Sequence, residues 1–198
     1  KLLKYIDKVE NFNKKKEFYL TDLVSIFYNN GLKSGYYLCD HEECRGVNNI
    51  QELSSANKIF QKRKRNFFLD QGVFMEDPST VFFSADTIIE KDVKIQPNVY
   101  FGTGVIIKKN VLIKSFTHLE NTIVNKNAMI GPFSRIRDDV EIGSDVKIGN
   151  FVEIKKSDIK SGVKISHLSY VGDAHIGKET NIGAGSITCN FDGKNKNR

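Results

Sequence analysis

From residue 89 onward, aliphatic or aromatic residues recur at every sixth position: Ile89, Ile95, Phe101, Ile107, Ile113 and Leu119. One step of five leads to Val124, Ile130, Ile136, Ile142, Ile148 and Ile154. A second leads to Ile159, Ile165 and Val171, and a third to Ile176 and Ile182. Four residues after each comes a second core candidate, often small or β-branched, as at Val93, Val99, Val105, Val111, Ser134, Val140, Val146 and Val152. Glycine often follows the first position, as at Gly131, Gly143, Gly149, Gly177 and Gly183. A period of six matches neither the 3.6 of a helix nor the two of a half-buried strand. It is the mark of a hexapeptide β-helix. Each hexapeptide supplies a short strand and a turn, three of them close a triangular coil, and the aliphatic residue fills the prism. Seventeen such positions make five to six coils, a run that coincidental spacing in a β-sandwich does not produce. The fold expected is mainly β: a left-handed parallel β-helix of hexapeptide repeats over residues 81–198.

The first 80 residues read as α/β. Thr21 to Asn30 carries Leu23, Val24, Ile26 and Phe27 at helical spacing, with Thr21 or Asp22 to cap it and Gly31 to stop it. Gly35 to Asp40 reads as a short strand. A helix is expected from about residue 50 to 71, and residues 54–80 serve as a linker. Within it lies the densest basic run, Gln61-Lys62-Arg63-Lys64-Arg65, read as a solvated face because no nucleic-acid fold motif accompanies it. Over 198 residues, 30 Lys+Arg stand against 24 Asp+Glu, and the resulting basic surface suits nucleic acid, a membrane surface or small phosphorylated ligands. No apolar run approaches the length of a membrane span, and the N-terminus has no signal-peptide apolar region. The three cysteines, Cys39, Cys44 and Cys189, are odd and sparse, which suggests reduced thiols in a cytoplasm. Cys39 and Cys44 have no second ligand pair with which to hold zinc. The chain opens in what reads as an ongoing helix and closes in a Lys/Asn-rich loop, so it reads as a fragment.

The repeat also states which side chains are neighbours. Eighteen residues, or seventeen across a five-residue step, return the chain to the same place one coil on. Arg137 and Lys155 therefore stack and point outward, two cations that repel unless an anion lies between them, which suits a phosphate. Glu153 and Tyr170 occupy equivalent positions just before the same corner. His167 lies on the face that runs into it, with Ala184 one coil above. A neutral histidine is a natural general base near neutral pH, and a carboxylate beside it can fix its tautomer. His41, His118 and His175 lack such company, and no set of three histidines meets between coils to hold zinc. Beyond Gly183 the six-residue period breaks at Thr188, and the polar stretch to Lys196 reads as a loop of the kind that carries function on a rigid repeat.

At these residues the sequence resembles the bifunctional bacterial family that combines N-acetylglucosamine-1-phosphate uridylyltransferase and glucosamine-1-phosphate N-acetyltransferase. IGPFSRIR (130–137), IGNFVEIKK (148–156), HLSYVGDAHIG (167–177) and NIGAGSITCNFDGKNK (181–196) match its acetyltransferase half. EFYLTDLVSIFYNNG (17–31) and GVNNIQELS (46–54) match the end of its uridylyltransferase half. The resemblance implies that residues 1–53 are the last part of that nucleotidyltransferase domain. It implies His167 as the base that deprotonates the sugar amine for attack on acetyl-CoA, and Glu153 as its orienting carboxylate. Arg137, Lys155 and Tyr170 would hold the sugar phosphate, Asn181 the sugar, and Ala184, Asn190 and Phe191 the acetyl-CoA. Lys196 would reach a neighbouring subunit of a cytoplasmic homotrimer, and Asn48 would be the last magnesium ligand of the other domain. Three departures stand out: Phe191 where the family usually has Tyr, Asp138 where it commonly has Pro, and a spacing from Asn48 to Arg137 shorter by about one coil. The family's Gly-rich nucleotide-binding segment and its final coils are expected outside this stretch. The competing readings are another hexapeptide acyltransferase and a silent scaffold that only trimerises.

Overall fold

A computed structural model describes residues 2–195 of the chain. It separates into two compact units, Lys1–Gly46 and Val47–Arg198.

The first unit holds two short 3-10 turns, Leu2–Lys4 and Ile6–Lys8, where the sequence suggests a continuing helix, and one α-helix, α1 (Asp22–Asn29). Thr21 precedes α1 in helical conformation and makes no side-chain cap bond, and Gly31 follows with φ +68°. The strand expected over Gly35 to Asp40 does not form. Tyr36 and Tyr37 are 90% and 91% exposed, and among the described residues no neighbouring strand takes their backbone groups. Two thiols are not reduced as expected: a turn closed by the Glu43 N–H on the Asp40 carbonyl brings Cys39 and Cys44 together in a disulfide. Cys189 is free and exposed.

The second unit is the left-handed parallel β-helix. Every strand pairing in it is parallel, because each strand meets its equivalent one coil on rather than its successor in the chain. One face stacks Lys94–Ile95, Leu112–Ile113 and Met129–Ile130; the second stacks Tyr100–Phe101, His118–Leu119 and Arg135–Arg137; the third is a sheet of six strands ending at His175–Ile176. The six-residue series fills the prism: Phe101, Ile107, Ile113, Leu119, Ile130, Ile136, Ile148 and Ile154 are fully buried, and the small i+4 residues are buried beside them. At the last described coil, Ile176 and Ile182 are only partly buried.

The coiling starts earlier than the six-residue series shows. Phe74–Met75 pairs with Lys94–Ile95, and Phe82–Phe83 pairs with Tyr100–Phe101. The eight-residue gap between Met75 and Phe83 hides this first coil from a period of six.

The long helix α2 (Ile50–Asp70) closes that end. The Asn49 carboxamide oxygen accepts the Glu52 N–H at 2.9 Å, while the Glu52 carboxylate accepts the Asn48 N–H at 2.6 Å, a reciprocal N-terminal cap. The bond from the Asn48 N–H foremost holds the Glu52 carboxyl below its usual pKa. Phe68 is buried and lies 4.8 Å from Phe83, which stacks on Phe101 at 5.1 Å, so an aromatic column plugs the open prism. The basic run is only in part the solvated face expected. Gln61 is 6% exposed and forms two bonds with one residue: its amide donates to the Phe83 carbonyl at 2.8 Å, and its oxygen accepts the Phe83 N–H at 2.9 Å. Arg65 donates to the Val81 carbonyl at 2.9 Å and lies over the Phe82 ring. These two side chains satisfy the edge of the first coil, which has no preceding coil to pair with.

Two strands are unlike the rest. Lys147–Lys155 and Lys164–Gly172 each run for nine residues through the corner between the first and second faces. Gly149 makes this possible: a Cβ there would overlap the carbonyl oxygen of Ser166 on the next coil.

Candidate functional site

The long strands carry Glu153, Lys155, His167 and Tyr170, Arg137 ends the short strand Arg135–Arg137 beside them, and the register matches the spacing argument. Arg137 pairs with Lys155, Glu153 with Tyr170, and Asn150 with His167. Beside them is a shallow cavity of about 460 Å³, lined among others by Phe133, Phe151, Leu168, Glu153 and Tyr170. Its apolar wall is built at the corner. Phe116, Phe133, Phe151 and Leu168 occupy one position of successive coils, all with φ between +52° and +60°. Bulky residues seldom take this conformation. Here it turns their side chains outward: Phe116 stacks on Phe133 at 4.7 Å and Phe133 on Phe151 at 5.4 Å, and all four stay exposed.

The charges are arranged differently from the expectation in one respect. Arg137 does not wait for an anion. Its Nε donates to Glu153 at 2.8 Å and its Nη1 donates to Asp138 at 2.6 Å. The hydrogen bond to Glu153 raises the guanidinium pKa above its usual value, and the negative charges of Glu153 and Asp138 add to it against the cost of burial. Asp138 has φ +59°, a conformation closed to proline. The Lys155 ammonium makes no ion pair among the described residues. Glu153 thus turns to Arg137 and not, as expected, to His167. His167 is exposed; the Ser169 hydroxyl donates to its backbone carbonyl at 3.1 Å, and its imidazole makes no hydrogen bond or ion pair among the described residues.

The remaining candidates are spread more widely. Asn181 pairs in register with Lys164, is exposed, and begins the last strand on the first face. Ala184 is exposed beside Gly185, whose N–H donates to the Leu168 carbonyl at 2.9 Å, so it does stand one coil above His167. The Asn190 carboxamide donates to the Asp173 carboxylate, and Phe191 is exposed. Lys196 lies outside the described residues. Asn48 is exposed at the N-terminus of α2, and no group of three His, Cys, Asp or Glu side chains that could hold a metal ion exists among the described residues. The residues present therefore do not make a magnesium site.

Two histidines set aside in the sequence do have company. His118 lies 4.9 Å from Tyr100 and 3.7 Å from the Glu120 carboxylate. His175 approaches Asp158 at 3.5 Å, beside Lys160 at 2.6 Å. The register behind these pairs, Tyr100 with His118 and Asp158 with His175, follows from the same count of seventeen or eighteen that found Arg137 and Lys155.

A corner cavity on a parallel β-helix of hexapeptides, with outward bases, a carboxylate and a histidine, defines a protein of the hexapeptide-repeat class. The family model described as bacterial transferase hexapeptide (six repeats) matches residues 86–121, and that of the GMPPB C-terminal domain matches residues 118–191. Over nearly its whole length the chain is similar to proteins named bifunctional GlmU. It is 49% identical to GlmU of Wolbachia pipientis wMel over 195 residues, 98% of this chain and 45% of that protein. It is 47% identical to GlmU of Bartonella quintana over 194 residues, 98% of this chain and 43% of that protein. The chain thus spans less than half the length of these curated relatives. Among solved structures, the acetyltransferase domain of PglB from Neisseria gonorrhoeae in complex with acetyl coenzyme A shows a TM-score of 0.47 at 16% identity, covering 59% of this chain and 60% of that one.

Proposed function

We propose that this chain is part of a bifunctional transferase whose β-helix moves an acetyl group from acetyl-CoA to the amine of glucosamine-1-phosphate. The observation that carries the reading is the register at one corner. Arg137 with Lys155 and Glu153 with Tyr170 stack there, in a chain that is 49% identical over 195 residues to a protein named bifunctional GlmU. The phosphate sits across Arg137, Lys155 and the Tyr170 hydroxyl, and Asn181 contacts the sugar. His167 takes a proton from the amine while the nitrogen lone pair adds to the thioester carbon; the C–S bond then breaks, and the proton held by His167 passes to the departing sulfur, so that CoA leaves as its thiol and the histidine is neutral again. Proton transfer by a placed side chain supplies a rate factor of about 10²–10⁴. An incoming phosphate competes with Glu153 and Asp138 for Arg137, and a carboxylate so released is the one able to turn to His167. Ala184, Asn190 and Phe191 line the acetyl-CoA side.

The same reading makes the assembly a cytoplasmic homotrimer. The exposed left-handed row of Phe116, Phe133, Phe151 and Leu168 supports it, since an apolar wall beside a site gains from being covered by a second copy. Lys196 then enters the neighbour's site. Uridylyl transfer, with magnesium at Asn48, belongs to the longer protein, whose ligands this chain does not complete.

The test is acetyl-CoA-dependent acetylation of glucosamine-1-phosphate by the full-length protein and by its His167→Ala variant. Activity should fall by about 10²–10⁴ while circular dichroism and sedimentation stay unchanged. Undiminished turnover in the variant removes His167 as the base. A folded full-length protein with no turnover at all favours the scaffold reading.

A further inference from the structure

Position 172 stands where a third base would complete the row of cations. Arg137 faces Lys155, and Lys155 faces Gly172, one coil apart each time. Gly172 has no backbone reason to be glycine. It ends the regular strand Lys164–Gly172 and lies outside the left-handed region. The space its side chain would fill is already taken. A Cβ built on Gly172 would fall on the phenolic oxygen of Tyr170, 2.6 Å from Cζ and 2.7 Å from Cε1. The ring of Tyr170, two residues earlier and hence on the same side of the strand, lies along the strand over Gly172. Its hydroxyl occupies the third place in the row.

The backbone around this seat is pinned by the loop that breaks the repeat. The Thr188 hydroxyl accepts the Gly172 N–H at 2.7 Å and donates to the Gly172 carbonyl at 3.1 Å. The Tyr170 N–H donates to the Ser186 carbonyl at 2.9 Å, and the Tyr170 carbonyl accepts the Thr188 N–H at 3.0 Å. Thr188 stands where the six-residue series calls for an aliphatic residue; its hydroxyl does what a further strand would do for Gly172.

We infer that Gly172 is a positioning residue. With Thr188 holding its backbone, it leaves open the seat that sets the Tyr170 hydroxyl in line with Arg137 and Lys155. The anion-binding row is thereby completed by a neutral donor and not by a third cation. A phenol hydroxyl donates to a phosphate oxygen without adding charge. This inference rests on the acetyltransferase reading and adds to it the residue that fixes the geometry of its phosphate end.

The Gly172→Ala variant tests it, because the clash falls on the far end of a side chain that can swing away while the backbone stays in place. In the full-length protein, G172A should raise KM for glucosamine-1-phosphate to the level of Tyr170→Phe, about tenfold or more, and change kcat less than twofold, the pattern of lost uniform binding. The double variant should be no worse than Y170F alone. In ¹³C-tyrosine-labelled protein, the Tyr170 ring signal, assigned by its absence from Y170F, should move in G172A. Effects of G172A that add to those of Y170F, or a Tyr170 signal that G172A leaves unmoved, overturn the inference. Failure of the acetyltransferase reading looks different: the unaltered protein does not acetylate the sugar, yet the Tyr170 signal still moves in G172A, and the seat stands.

Discussion

Replacing Gln61 with alanine should loosen the helix that closes the first coil. The side chain makes two bonds, at 2.8 and 2.9 Å, to the carbonyl and N–H of Phe83, a residue 3% exposed. Alanine removes both partners and lets in little water, because the Phe68, Phe83 and Phe101 rings pack alongside. A buried backbone group left without a partner costs about 1–3 kcal/mol, and two beside one another should cost about 2–4 kcal/mol together. At about 1.4 kcal/mol per decade, the opening equilibrium of α2 should rise about 30- to 700-fold. Amide hydrogen exchange of α2 and of the Phe82–Phe83 strand measures this directly, with Lys62→Ala on the exposed side of the same helix as the control. If Gln61→Ala and Lys62→Ala exchange alike, Gln61 does not anchor the helix and the account of the first coil is wrong.

Three further outcomes follow from the geometry. Gly149→Ala should destabilise the β-helix by about 3 kcal/mol or more in urea unfolding, since the clash is with the Ser166 backbone; Gly183→Ala, which meets nothing within 4 Å, should be neutral. Asp138→Asn removes one of the two carboxylates on Arg137 and keeps a residue that accepts positive φ. It should lower KM for the sugar phosphate by up to about fivefold, the range of a partly exposed ion pair. The Asp158 carboxyl is held below its usual pKa of 3.8, first by its hydrogen bond with Lys160 and then by Lys160's charge and His175. A depressed carboxyl contributes stability above its unfolded pKa and loses it as pH falls through the folded value. The stability difference between the unaltered protein and Asp158→Asn should therefore be present at about pH 6 and shrink below about pH 4.

Most of the fold was legible because a β-helix writes its register into the sequence as a count. Ile136 over Ile154, and Arg137 over Lys155, needed only the period and its five-residue steps. The count fails where the chain departs from it. Met75 and Phe83 are eight residues apart, so their coil went unseen. Gln61 and Arg65 look like part of a basic run, yet they bond to backbone groups, which carry no sequence signal. Gly35 to Asp40 has strand-like residues and no partner strand, and composition alone cannot supply one. At the site, spacing placed Glu153 near both Arg137 and His167 but could not say which it would face. The guanidinium holds it, through a charge-assisted bond from Arg137 Nε at 2.8 Å. Tyr170 was found by its row, whereas the role of Gly172 needed the position of the ring.

The coil that α2 closes also acts as the zero mark of a ruler. Each turn lifts the chain by about 4.8 Å, so the height of the Arg137 corner above the helix changes only in whole steps. A coil of 17 or 18 residues can be gained or lost below the corner and leave its side chains aimed as before. An insertion of six residues does not have that freedom: it carries every later residue round to the next face, a third of a turn about the axis. Length variation below the corner should therefore come in full coils, and a designed graft that respects this can set the height of the corner without altering its chemistry.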